Sequence, residues 1–186
     1  MLAFYSLARA NYGIPETFDR PGAINTTLWD IGNDGTIVGQ SQEYLGQRVA
    51  FYFRDGMFTS LQTPQGATSM ATGISNDGTI VGNYSYTDVV SGQAGMTSFV
   101  YVNGAYQMFA VEGTLQTSIR RISPNGRYLA GTYAFLNYSL TGFVYDRLTQ
   151  TRVDLARAST TVILQGVSDD GVAVGSLSEL AALSVA

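Results

Sequence analysis

The sequence predicts an all-β protein, a β-propeller of four-stranded antiparallel blades with about four blades per chain. Three observations predict it: a tight-turn phrase that returns four times, a period suited to propeller blades, and a composition rich in aromatics and glycine. The phrase reads Ile31-Gly-Asn-Asp-Gly35-Thr-Ile-Val-Gly39, Ile74-Ser-Asn-Asp-Gly78-Thr-Ile-Val-Gly82, Ile122-Ser-Pro-Asn-Gly126-Arg-Tyr-Leu-Ala-Gly131 and Val167-Ser-Asp-Asp-Gly171-Val-Ala-Val-Gly175. The turn glycines 35, 78, 126 and 171 are 43, 48 and 45 residues apart. Twelve Tyr, nine Phe and 21 Gly among 186 residues favour pleated, half-buried strands joined by tight turns.

Each phrase has a physical reading. An apolar residue ends one strand. The Asn-Asp-Gly or Asp-Asp-Gly tip then supplies residues that tolerate positive φ in a tight hairpin. A β-branched run such as Thr79-Ile80-Val81 begins the next strand. The closing glycine allows a bulge or a close backbone approach where neighbouring sheets converge.

A second element follows the first: Ala50-Phe-Tyr-Phe53, Ser98-Phe-Val-Tyr101 and Gly142-Phe-Val-Tyr145. It runs into the turns Arg54-Asp-Gly56, Val102-Asn-Gly104 and Asp146-Arg-Leu-Thr-Gln150. A further strand comes next: Met57–Leu61, Ala105–Phe109 or Thr151–Leu155. One unit is therefore two hairpins in series, and the units are expected at 26–63, 69–112 and 117–157. Residues 3–18 read as the second half of a unit, and residues 161–179 as a first half. The whole of 1–179 is expected to be one repeat domain. The two halves complete a ring if they meet within one chain, if two chains share a larger ring as a homodimer, or if the array is longer. Residues 180–186 form a tail; the run from Ser178 to Ala186 has helix-forming residues behind a plausible N-cap but is marginal as a helix alone, and reads as an ordered tail docking on a neighbour or as a frayed end.

The formal charge of -4 argues against a nucleic-acid partner, which needs a clustered cationic face. Arg120-Arg121 is the one basic doublet and reads as a solvated strand end. There is no cysteine, so disulfide and thiolate chemistry are out of reach. No apolar run suffices for a membrane span, and the first residues lack the pattern of a signal peptide.

The phrases Phe18-Asp-Arg-Pro-Gly-Ala23, Ile-Gly-Asn-Asp-Gly-Thr-Ile-Val-Gly and Phe-Tyr-Phe-Arg-Asp-Gly resemble the bacterial extracellular repeats of the HAF family, over roughly residues 3 to 179. The family's histidine is absent from this chain. The third copy, with Ser123-Pro-Asn-Gly126, is equally similar to TolB-like propeller blades. The resemblance implies an exported or cell-surface propeller-like protein and no particular reaction.

Without His or Cys, the usual triads and most zinc sites are unavailable. Asp34, Asp55, Asp77, Asp146, Asp169 and Asp170 fall in predicted turns, where a side chain that caps local amides explains each. Asp169-Asp170 is the best local candidate for calcium, but no turn offers enough carboxylates for a strong site, so no metal is expected. No phosphate-cradling glycine phrase occurs, and no cofactor is expected.

Asp30 occupies a position held by Gly73, Arg121 and Gly166 in the other copies. Asp30 and Arg121 are thus expected at one radius near a propeller axis. Trp29, the single tryptophan, stands where the other copies have Thr72, Arg120 and Gln165. Tyr84 and Tyr133 match each other two residues after the repeat glycine. The candidate ligand-binding residues are Trp29, Asp30, Arg121, Tyr84 and Tyr133. The expected function is a non-catalytic binding module for a glycan or a protein. The alternatives are a carboxylate-dependent glycan hydrolase or lyase built on Asp30, and a purely structural array.

Overall fold

The structure, a computed structural model, describes residues 6–7, 16–43, 46–63, 68–87, 92–135, 140–156 and 160–179. All regular structure among them is β. A short antiparallel pair, β1 (Ser6–Leu7) and β2 (Glu16–Thr17), precedes a four-stranded meander of β3 (Asn25–Ile31), β4 (Ile37–Gln42), β5 (Arg48–Arg54) and β6 (Met57–Ser60). Two further meanders repeat it. One holds β7 (Ser69–Ile74), β8 (Ile80–Thr87), β9 (Ala94–Val102) and β10 (Ala105–Phe109); the other holds β11 (Gln116–Ile122), β12 (Tyr128–Ala134), β13 (Leu140–Asp146) and β14 (Thr151–Leu155). A single parallel bridge, Gln116 to Met96, links these two sheets. The hairpin β15 (Thr160–Val167) and β16 (Ala173–Glu179) ends the series.

The repeated tip builds the same turn four times. Gly35, Gly78, Gly126 and Gly171 have φ of 81°, 80°, 75° and 84°, a region that costs a residue with Cβ about 1–2 kcal/mol. The aspartates act as turn formers where expected. Asp34 accepts the Thr36 amide at 2.9 Å, and Asp77 accepts the Thr79 amide at 3.0 Å. Asp169 differs from its reading: it reaches the neighbouring unit, accepting the Asn125 amide at 2.7 Å. The Asn76 amide likewise donates to the Pro124 carbonyl at 2.7 Å. The tips are therefore latched to one another as well as closed on themselves.

The core lies between consecutive units. Val38, Ala50 and Leu61 of the first pack with Ile74, Tyr84 and Phe99 of the second. Val81, Val100 and Val111 then pack with Ile119, Leu129 and Phe143 of the third. The last interface is smaller, with Ala130 against Val162 and Leu164 as its buried members.

Each closing glycine faces the bulge of its first strand, as expected, and the close approach it allows lies inside its own sheet and not where neighbouring sheets converge. Gly39, Gly82 and Gly131 stand directly across from Phe51, Phe99 and Phe143. A Cβ there would lie 2.2–2.3 Å from a first-strand carbonyl and 2.5–3.1 Å from the phenylalanine ring.

Two expectations change. Ser178 and Glu179 belong to β16, because the period-2 ladder with Thr160 and Thr161 extends through them, so no helix starts at Ser178. The remainder of the tail, like residues 3–5 and 8–15 of the first half unit, lies outside the described residues. Among the described residues β16 pairs with β15 and β1 with β2, so no sheet closes the ends of the chain onto each other.

Candidate functional site

The four first strands β3, β7, β11 and β15 are neighbours in series, and each carries a β-bulge at the same repeat position. The ladder skips from Leu28 to Asp30, Ala71 to Gly73, Ile119 to Arg121 and Leu164 to Gly166. The extra residues are Trp29, Thr72, Arg120 and Gln165. A bulge re-aims a side chain out of the ordinary alternation. Here all four extra residues line one cavity of about 110 Å³, together with Arg121.

Trp29 is 38% exposed, and its ring faces this cavity from β3. The Arg120 guanidinium and the Gln165 amide are exposed and have no side-chain partner among the described residues. Thr72 is buried and donates to the Ile119 carbonyl at 2.8 Å. The mouth therefore offers an aromatic face, a cation and an amide whose hydrogen-bonding capacity is unspent. Arg120-Arg121 is correspondingly more than a solvated strand end. Arg121 donates to the Thr72 and Arg120 carbonyls at 2.8 and 2.7 Å, which ties β11 to β7.

Asp30 and Arg121 do share a second cavity, of about 250 Å³, next to the first. No ion pair joins them among the described residues. Asp30 instead accepts its neighbour's amide from Ile31 at 2.9 Å and the Ile74 amide of the next unit at 3.1 Å. It is the sole carboxylate lining either cavity. Glycoside hydrolysis generally uses two carboxylates facing each other, and the described lining of these two cavities supplies one.

Tyr84 and Tyr133 are placed away from Trp29, Asp30 and Arg121. Both are 7% exposed and belong to the cores between units. The Tyr84 hydroxyl lies 3.3 Å from the Met108 sulfur, and burial raises its pKa. Tyr133 packs edge-on to Phe135, with the Arg152 guanidinium 5.2 Å from its ring centre. Sequence reasoning missed Asn83. This buried side chain donates to the Ile119 carbonyl at 3.0 Å and accepts the Ile119 amide at 2.9 Å, so it pins β8 to β11 below the cavity. Its signal was available: the matching positions hold Gln40, Thr132 and Ser176.

The site and its scaffold define an all-β, propeller-like protein with a cavity framed by first strands. No family model matches the chain, and no curated protein matches it. Solved structures do, two TolB proteins among them. A putative TolB from Agrobacterium tumefaciens superimposes with a TM-score of 0.64 at 13% identity, over 91% of this chain and 60% of that one. TolB from Acinetobacter baumannii gives a TM-score of 0.60 at 12% identity, over 92% of this chain and 44% of that one. The chain thus spans about half the length of these proteins, and the likeness concerns fold alone. It agrees with the TolB-like character of the third copy; the HAF resemblance rests on the motifs by themselves. No helix among the described residues is long and apolar enough to cross a membrane.

Proposed function

We propose that the chain is a non-catalytic binding module, exported or cell-surface, built from about four propeller blades. Its ligand, a glycan or a protein segment, sits at the mouth framed by Trp29, Arg120 and Gln165. One observation carries this reading. The bulge is the repeat position where four copies hold four chemically different side chains, and those side chains converge on one cavity. Packing between blades would favour similar residues in equivalent places. Aromatic faces bury sugar C–H surfaces, while guanidinium and amide groups orient hydroxyl or carboxylate oxygens. The exported location follows the repeat family that the motifs resemble.

The test is a glycan array followed by calorimetry, using the intact chain and the variants Trp29→Ala and Arg120→Ala. Saturable binding that either substitution weakens at least tenfold, with the melting temperature kept, supports the reading. Binding indifferent to both substitutions sinks it.

A further inference from the structure

Arg120 and Arg121 are consecutive in β11, and a regular strand would send them to opposite faces of its sheet. The bulge between Ile119 and Arg121 breaks that alternation, and both side chains line the cavity of about 110 Å³ beside Trp29. Two like charges are thereby brought to one hollow, and no carboxylate lines it among the described residues. This sets the pair apart in a chain whose net charge is -4 and whose basic residues are all arginine. Elsewhere Arg20, Arg54, Arg127 and Arg152 each have a carboxylate oxygen within 3.8 Å.

The cavity's own hydrogen bonds leave donors over. Arg121 donates from Nη1 to the Thr72 and Arg120 carbonyls, and its Nη2 and Nε have no acceptor among the described residues. The exposed Arg120 guanidinium adds a second fork. The neighbouring cavity of about 250 Å³ shares Arg121 and Gln165 with the first, and there Asp30 adds a negative charge. An anionic group is thus repelled from the Asp30 side and drawn to the Arg120 side.

We infer that the ligand is an acidic sugar, a hexuronate residue of a glycan, whose carboxylate is held by Arg120 and Arg121 while its ring lies on Trp29. The inference rests on the binding-module reading above and narrows its ligand. Guanidinium groups match a carboxylate with two parallel hydrogen bonds, which fixes orientation as well as charge. The first cavity is small beside the roughly 300–1,000 Å³ of sites for drug-sized ligands, so it suits one compact group. An acidic peptide side chain would satisfy the arginines but brings little apolar surface to Trp29. A hexuronate carries its carboxylate and a C–H face on one rigid ring, and that face suits an indole. The Gln165 amide is then left for ring hydroxyls, and the second cavity for the adjoining sugar.

Calorimetry on the intact chain tests this, with trisaccharides of galacturonate, glucuronate and mannuronate, each beside its methyl ester. The ester keeps the ring and removes the charge. At least one acid is expected to bind about tenfold more tightly than its ester, the worth of one charge-assisted hydrogen bond. That preference should shrink as sodium chloride is raised. Arg120→Gln should lower the acid to the ester's affinity and leave the ester unchanged, with the melting temperature kept; Trp29→Ala should weaken both. Arg48 lines neither cavity, so Arg48→Gln should leave the preference intact and controls for overall charge. An ester that binds as tightly as its acid, and is lost with Trp29→Ala, overturns the acidic-sugar inference and keeps the binding module. A glutamate-rich peptide that binds through Arg120 where no sugar does has the same consequence. A preference that survives Arg120→Gln, or falls equally with Arg48→Gln, overturns the inference. So does an absence of saturable binding by every acid, and neutral glycans on the array then decide the broader reading separately.

Discussion

Gly82 stands directly across from Phe99 in the ladder between β8 and β9, and a Cβ at 82 would lie 2.5 Å from the phenylalanine ring. The same site backs onto the Met70 carbonyl at 2.2 Å. Phe99 itself is fully buried and belongs to the first inter-unit core. One glycine thus lets a strand cross a large ring without pushing its neighbour away.

Gly82→Ala should therefore cost stability by overpacking, on the order of 1–3 kcal/mol or more, since neither the carbonyl nor the buried ring can yield cheaply. Urea denaturation measures it. A midpoint equal to the wild type would contradict the packing account of the repeat glycine.

Asn83→Ala should destabilise by roughly 1 kcal/mol or somewhat more, because it removes two buried hydrogen bonds to Ile119, leaving its carbonyl to the Thr72 hydroxyl and its amide to the Ser98 hydroxyl. The loss should be local to the join between β8 and β11. Hydrogen exchange should speed up most at the Ile119 amide, and uniform acceleration across the sheet would count against this role.

Acid should weaken the fold through the turn aspartates. Hydrogen bonds and charge from Arg127 hold the Asp146 carboxyl well below the usual range. The Thr36 amide does the same for Asp34, and the Ser168 hydroxyl for Asp170. A carboxyl whose folded pKa is depressed stabilises above its unfolded value, near 4, and loses that contribution as pH falls further. Asp146→Asn should be less stable than the wild type at pH 7, with the gap shrinking below about pH 4. Thermal melts from pH 7 to pH 2 read this directly, and a gap that stays constant with pH would refute it.

Asp30→Asn should act on stability and not on turnover. The carboxylate's two acceptors are spent on the Ile31 and Ile74 amides, and Asn keeps only one carbonyl oxygen for them. A loss of about 1 kcal/mol is expected. Glycan-cleaving activity that is present in the wild type and abolished by this substitution would restore the hydrolase reading.

The turns and their order were legible in the sequence because they are local. Asn-Asp-Gly dictates a hairpin wherever it occurs, since the backbone region it needs and the amide it caps lie within four residues. Repetition then made the strand pattern readable, and the mismatch of Trp29, Thr72, Arg120 and Gln165 within that repeat marked the cavity position in advance. The approach of Arg121 to Trp29 in one cavity and to Asp30 in the next was likewise foreseeable from equivalent places in equivalent strands.

What only the tertiary structure decided depends on partners far along the chain. The bulge that turns Trp29 and Arg120 toward a common space appears as a slip between paired strands, which no single strand encodes. Asp30 met the Ile74 amide, 44 residues away, instead of Arg121, because a backbone donor at the start of the next turn lay within reach of its carboxylate. Tyr84 and Tyr133 went into the cores between sheets, since large rings are stabilised most where two apolar faces meet. Whether a strand edge is covered is also non-local: Val38 and Val174 occupy the same place in the repeat, and among the described residues only the first has a third strand beside it.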